Sequence, residues 1–270
     1  MAGVSSESLA AALASLETKL AHASLELSSQ LFDVLSVVDS NAGLRRALTD
    51  PARGATEKAG LVTQLFGGKV SADAEATVAS LATSRWSSAR DIGDALETVA
   101  AHAAIMVAER DGGSAGLERL EEDLFAFIRV VESSHDLQRA LDDAQATTEA
   151  KSALALKLVP NASDASALLI RQAVASPRGL KPVALVERFV ELVAKRQDRW
   201  IAQVSVTRAL TAQQFTRLQA GLNNLYGRDL KININIDPEL VGGIRVKVGD
   251  EVVDASIATR VSDLRRQLAG

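Results

Sequence analysis

The chain has 270 residues, 47% hydrophobic and 24% charged, with a net charge of −4 and no cysteine. That balance supplies a packed core, and it excludes disorder, disulfides, thiol chemistry and nucleic-acid binding driven by overall charge. Aromatics are only 3%, so an aliphatic, helix-built core is expected, and no run of about eighteen apolar residues reads as a membrane span.

The N-terminus, MAGVSSESLAAAL, carries no Lys or Arg ahead of its apolar stretch, so it does not read as a secretory signal. A soluble, intracellular protein is expected. From Ser5 to Ser40 there is no Pro or Gly, and Leu9, Leu13, Leu16, Leu20, Leu27, Leu31, Leu35 and Val38 recur along one helical face. One long helix, or two broken near His22–Ser24, satisfies that spacing. An amphipathic core helix is favoured over a coiled-coil seam.

A repeat follows. The segment LFDVLSVVDSNAGLRRALTDP (Leu31–Pro51) aligns without gaps on LFAFIRVVESSHDLQRALDDA (Leu124–Ala144), with about half the positions identical. TEKAGLVTQLF from Thr56 likewise resembles TEAKSALALKLV from Thr148. A period of about ninety residues is too long for a solenoid unit and predicts a duplicated helical domain. Shared polar pairs, Ser40/Ser133, Arg46/Arg139 and Asp50/Asp143, argue against chance, whereas Ala42/His135 and Ser36/Arg129 differ. The seam is expected as a turn in ERDGGSAGLE, Glu109 to Glu118, where three glycines stop a helix. Asp50-Pro51, the FGGK step and Ser176-Pro177-Arg178-Gly179 are further helix ends.

From Trp200 the pattern changes. WIAQVSVTR alternates as a half-buried strand. Thr211 with Gln214 forms a capping-box pattern, and Phe215, Leu218, Leu222 and Leu225 form an apolar stripe ended by Gly227. KININI, an Asp237-Pro238-Glu239 turn, IRVKV, a Gly249-Asp250 turn and EVVDAS follow. A last helix from Ile257 would align Val261, Leu264 and Leu268 with it. The expected architecture is mainly α: a duplicated helical-bundle region, then a small α/β domain of β-α-β-β-(β)-α order. The expected boundaries are 1–115, 116–199 and 200–270.

No catalytic constellation emerges. His22, His102 and His135 lack a second ligand at metal spacing and read as solvated helix residues. LFGGKVS lacks the earlier glycine and the hydroxyl of a phosphate loop, so Gly67-Gly68 reads as a helix cap. In VGGIRVKVG a strand rather than a helix follows the glycines, which excludes a dinucleotide fingerprint. No serine sits on a nucleophile elbow. From Arg199 onward there are ten Lys/Arg against seven Asp/Glu, yet no aromatics on the strands for base stacking. The chain reads as non-catalytic, with no cofactor, metal or nucleic-acid partner.

The segment YGRDLKININIDPELVGGIRVKVGDEVVDASIATRVSDLRRQLAG, Tyr226 to Gly270, resembles the C-terminal part of the delta subunit of bacterial F-type ATP synthases. The mitochondrial member of that family is the oligomycin-sensitivity-conferring protein. The resemblance continues upstream through RWIAQVSVTRALTAQQFTRL to about Leu117, and the extra helical copy is similar to the long actinobacterial form. It implies a stator part that binds N-terminal segments of the α subunits through its helical domain. It also implies that the C-terminal domain holds a b-type peripheral-stalk subunit. The implied place is the cytoplasmic face of the cell membrane, with membrane contact only through the complex. The competing reading is a free-standing helical adaptor unrelated to the synthase.

Five residues are candidates for structure or interaction at the sheet: Gly242, Gly243, Arg245, Lys247 and Asp254. The glycine pair reads first as a turn needing positive φ, and only second as a partner contact. Arg245 and Lys247 face away from the apolar side, open to an acidic stalk helix or simply solvated.

Overall fold

Apolar spacing along the first forty residues resolves into two helices. In the computed structural model these are α1 (Val4–Glu17) and α2 (Leu25–Ser40). The structure describes residues 3–18, 24–227, 230–237, 240, 243–249 and 251–254. Ser24 caps α2 by accepting a hydrogen bond from the Leu27 amide at 3.0 Å, which fixes the break. Then come α3 (Ala42–Thr49), α4 (Ala55–Phe66), α5 (Ala72–Thr83) and the long α6 (Asp91–Glu132). After it come α7 (His135–Asp142), α8 (Thr148–Leu158), α9 (Asp164–Ala175) and α10 (Pro182–Gln197). Contacts gather Met1–Val193 into one compact unit and Ala194–Gly270 into a second.

The expected turn between Glu109 and Glu118 is present and is centred on a single residue, where two helical limbs meet at a kink. Gly113 adopts φ 60°, ψ −140°, and helical structure continues on both sides of it. A Cβ at Gly116 would lie 2.1 Å from the Ala108 carbonyl oxygen, so the two limbs of α6 approach too closely for any side chain there. Gly113 at positive φ ends one helical limb, and the helix formers that follow start the next at once.

Repeated sequence produces repeated hydrogen bonds. Arg45 Nη1 donates to the carbonyls of Val38 and Asp39, and Gln138 Nε2 donates to those of Val131 and Glu132. Asp50 accepts from the Ala52 amide at 2.9 Å, and Asp143 from the Gln145 amide at 2.8 Å. The Ser71 amide donates to Gln30, and the Ser163 amide to Asp123, each at 2.8 Å. Asn41 caps α3 as Ser134 caps α7, and α4 packs on α5 as α8 packs on α9. Leu48 and Leu141 are both buried, whereas Leu44 is buried and Leu137 only half-buried.

The N-terminal limb of α6 lies at the centre. Ala95, Leu96, Val99, Ala100, Ala101, Ala103, Ala104, Ile105 and Met106 are all fully buried, so the helix has no polar face. α6 as a whole packs against α1, α2, α5 and α9; on its N-terminal limb Ser5 of α1 donates to Asp91 and Ser28 of α2 donates to the Ala100 carbonyl. His102, expected as solvated, is therefore buried at 7% exposure, because every face of this limb is covered. His135 is exposed at the start of α7, and His22 lies outside the described residues.

Charged groups also enter this core: Glu97 and Glu109 of this limb are both buried. Glu97 is 2% exposed and meets Arg178 at 3.1 Å and Arg188 at 3.2 Å. Arg178, itself 7% exposed, also pairs with Asp94 at 2.9 Å and with Asp39. Gly93 makes the room: a Cβ there would lie 2.6 Å from Arg178 Nη2 and 2.9 Å from Asp39 Oδ1. Burial alone lowers the Arg178 pKa, but hydrogen bonds to Asp39 and Glu97 and the fields of both carboxylates outweigh it and raise it. A raised pKa on a cation gives stability that is complete below the unfolded value, so this contribution is constant across neutral pH.

The second unit is a four-stranded sheet with order β2-β1-β3-β4: β1 (Ile201–Val206), β2 (Lys231–Ile236), β3 (Ile244–Val248) and β4 (Glu251–Asp254). β2 runs parallel to β1, with α11 (Ala212–Tyr226) as the crossover, and β3 and β4 are antiparallel additions. The Thr211–Gln214 capping box and the left-handed Gly227 cap bound α11 as expected. Ala202, Val204, Val206, Leu222, Leu230, Val246 and Val248 form the core, with Leu218 and Tyr226 against it. Leu225 departs from the expected stripe and is 68% exposed, because the step from Leu222 brings Tyr226 round to the sheet instead. The helix expected from Ile257 lies outside the described residues, as do Pro238 and Glu239 of the expected turn.

Three stability differences are expected, each read from urea denaturation midpoints. Gly116→Ala is expected to destabilise by about 1–3 kcal/mol through overpacking, whereas Gly112→Ala, with open space around it, stabilises by about 0.5–1 kcal/mol. Arg178→Ala leaves a buried carboxylate short of its main partner and costs about 3 kcal/mol, against about 0–1 kcal/mol for the half-exposed Arg188→Ala. Gly243 sits at φ 83°, so Gly243→Val strains the sheet unit by about 1–3 kcal/mol. Equal effects within the glycine pair or the arginine pair would refute the corresponding assignment.

Candidate docking surfaces

Among the described residues no group of His, Asp or Glu is placed to hold a metal ion, and no helix is long and apolar enough to cross a membrane. What the two units offer instead are grooves and a polar sheet face.

On the sheet unit, period-two alternation separates the faces. Gln203, Asn233 and Lys247 share a row across β2, β1 and β3, and Ser205, Asn235 and Arg245 form the next. Arg245 stands opposite Asp254 on β4, and Lys247 opposite Val252. Arg245 and Lys247 are exposed, while Val246 and Val248 between and beside them are buried. Two of the candidates from sequence, Arg245 and Lys247, thus lie together on one exposed face, and the register sets Asp254 opposite Arg245. Gly243 stands at the entry to β3 in a left-handed conformation, which explains the residue type without a partner. Gly242 lies outside the described residues.

On the helical unit three grooves stand out. One, of about 310 Å³, is lined by Asp39, Arg45, Arg90 and Arg178 and lies where the buried ion cluster reaches the surface. A second, of about 220 Å³, runs between α2 and α9 past Ser29, Phe32, Asp33, Leu168 and Arg171. Partial burial pushes the Asp33 carboxyl above its usual pKa. The third, of about 280 Å³, opens between the end of α6, α7 and the start of α10. Its apolar floor includes Val131, Leu141 and Pro182, and its rim carries Glu132, Asp142, Lys181 and Glu187.

These helical grooves escape sequence reading. Asp39, Asp94, Glu97 and Arg178 are ordinary charged helix or loop residues in the linear chain, and only packing brings Arg178 to the other three. The one available signal is Glu97 amid a run of alanine and other apolar residues.

The sequence matches known proteins along its whole length. A family model described as "ATP synthase delta (OSCP) subunit" matches residues 100–268, beginning inside α6. A protein of Arthrobacter sp. (strain FB24) named ATP synthase subunit delta is 65% identical, with both chains fully covered. Proteins of the same name from Pseudarthrobacter chlorophenolicus and Renibacterium salmoninarum are 64% and 60% identical, again over the full length of both chains. By family model and by whole-length identity, this chain belongs to the ATP synthase delta (OSCP) subunit family, in the full-length form these actinobacterial relatives share.

Proposed function

We propose that this chain is the non-catalytic stator link of an F-type ATP synthase, joining the catalytic head to the peripheral stalk at the cytoplasmic face of the membrane. The observation that carries the reading is family membership at 65% identity over the whole chain. A free-standing adaptor would not share its entire length with proteins named as synthase subunits, so that alternative is not favoured. The helical unit binds N-terminal segments of the α subunits, and the sheet unit holds the b-type stalk subunit. Two separately packed units suit a part that must grip two bodies at once.

We further propose the division 1–115, 116–199 and 200–270, with the first two as copies of one helical domain. The paired hydrogen bonds of Arg45/Gln138, Asp50/Asp143 and Gln30/Asp123 support it. By its position before the sheet unit, the second copy makes the α-subunit contact, and the first adds another. Of the sheet residues, Arg245 and Lys247 contact the stalk and Gly243 sets the entry to the strand that carries them, with Gly242 and Asp254 as further candidates for structure or interaction.

Membranes stripped of this chain are expected to lose proton-driven ATP synthesis while the head keeps hydrolysing ATP, and adding the purified chain back restores synthesis. Stripped membranes that still couple would sink the stator reading. The isolated chain is expected to take up no MgATP in isothermal titration, since the carboxylates of Asp39, Asp94 and Glu97 already neutralise Arg178 in its polar groove. A micromolar site would count against a purely mechanical part.

A further inference from the structure

The first turn of α4 carries donors that nothing in the chain satisfies. α2, α3, α5, α7, α8 and α9 each follow a Ser, Thr or Asn whose side chain accepts an amide of the first turn. α4 follows Gly54, which has no side chain to do so. Gly54, Ala55, Thr56 and Glu57 are all exposed, and a Cβ on Gly54 would meet nothing within 4 Å. The space before the amides of Ala55, Thr56 and Glu57 is therefore open, and the helix dipole makes it positive.

Lys58 comes next. It is 5% exposed, yet among the described residues its ammonium makes no hydrogen bond or ion pair. Its stem shares a face with Val62 and Phe66, both buried, while Nζ is not among the enclosed polar atoms and so reaches solvent. Helical side chains lean toward the N-terminus, which brings this ammonium out at the open first turn. Arg53, just before the turn, is exposed and likewise unpaired among the described residues. The chain's own carboxylates leave the place empty: Asp50 accepts from the Ala52 amide at 2.9 Å, and the exposed Glu57 accepts no hydrogen bond among the described residues.

In the second copy the same corner is closed from within. In register with Asp50 and Asp143, Gly54 corresponds to Thr147, Lys58 to Lys151 and Arg53 to Ala146. Thr147 accepts from the Ala150 amide at 3.2 Å, and Lys151 is only half-buried.

We propose that the first turn of α4 is a carboxylate-binding site, filled in the synthase by an aspartate or glutamate of another subunit that caps the helix in trans. The inference rests on the stator reading and gives the first copy's contact a place and a chemistry. The amides of Ala55, Thr56 and Glu57 and the Lys58 ammonium converge on one ionised carboxylate, each bond strengthened by its charge. A basic side chain would meet Arg53, Lys58 and the positive helix end instead, so the sign of the partner is fixed.

The test is zero-length carbodiimide coupling in the purified synthase, which joins a lysine amine to a touching carboxylate as an amide and converts the carbodiimide to a urea. The expected product joins Lys58 to an aspartate or glutamate of another subunit, and Lys151 gives none. Gly54→Asp supplies a cap from within the chain. It is expected to raise the melting temperature of the isolated chain by about 1–3 °C and to lower the Lys58 coupling yield about tenfold. A merely structural first turn gains the stability without losing the coupling. Lys58→Met is expected to weaken rebinding of the chain to stripped membranes about tenfold, and Lys58→Arg to restore it. A synthase holding the chain at full occupancy without inter-subunit coupling at Lys58 overturns this proposal alone. So does coupling only to a carboxylate of this chain or of a second copy, or coupling indifferent to Gly54→Asp. Protection of Lys58 by inorganic phosphate in the isolated chain, with no inter-subunit product in the synthase, marks an adventitious ion only and overturns it too. Absence of the chain from the purified synthase overturns the stator reading and this proposal together.

Discussion

A helix with no polar face has to be enclosed, and the N-terminal limb of α6 imposes that requirement on the helical unit. Alanines at 95, 100, 101, 103 and 104 keep it thin enough for neighbours to approach closely, and Leu96, Val99, Ile105 and Met106 fill the spaces between them. One set of helices cannot cover a cylinder on all sides. Ser5 of α1 and Ser28 of α2 bond this limb from the first part of the chain, and Arg178 and Arg188 reach Glu97 from the second, so both parts contribute to enclosing it. Burying Glu97 within this limb creates a second demand, met by Arg178 from beyond α9. Apolar enclosure supplies the driving force, and the ion cluster specifies which loop arrives where.

The two segments of similar sequence pack unequally. Two copies sharing one enclosed limb cannot both present the same face to solvent, because one must use it against the other. The outer face of α2 is used in this way, and its counterpart on α6 remains outside. Exposed positions have drifted freely, as at Ser36 and Arg129, while the hydrogen bonds that set helix ends have been kept.

The sheet unit solves a different problem. A bundle presents ridges and grooves, whereas a pleated sheet with one buried face presents an ordered row of side chains on the other. Arg245 and Lys247 owe their common direction to the strand period alone, and Arg245 is set opposite Asp254 by the antiparallel register. A stator needs attachments that do not yield together under torque, and two separately folded units with different surface geometry meet that need.

The sequence by itself determined the helix boundaries, the repeat, the strand faces and the change from helical to sheet grammar. Each of these is local: a cap such as Ser24 or Thr211, a period of 3.6 or 2, a glycine at positive φ such as Gly227 or Gly243. The family was legible for the same reason, since its signature lies in one continuous stretch from Tyr226. Tertiary structure alone decided the rest. The break at the glycines was legible, but how sharply the chain turns at Gly113 depends on what the two limbs of α6 pack against. His102 is buried because helices distant in sequence converge on it, and Leu225 is exposed because the sheet meets Tyr226 instead. The Arg178 cluster joins residues separated by as many as 139 positions, and no periodicity carries information over that distance. Local patterns record what each segment prefers; which segments meet is settled only by the shape of the core they jointly enclose.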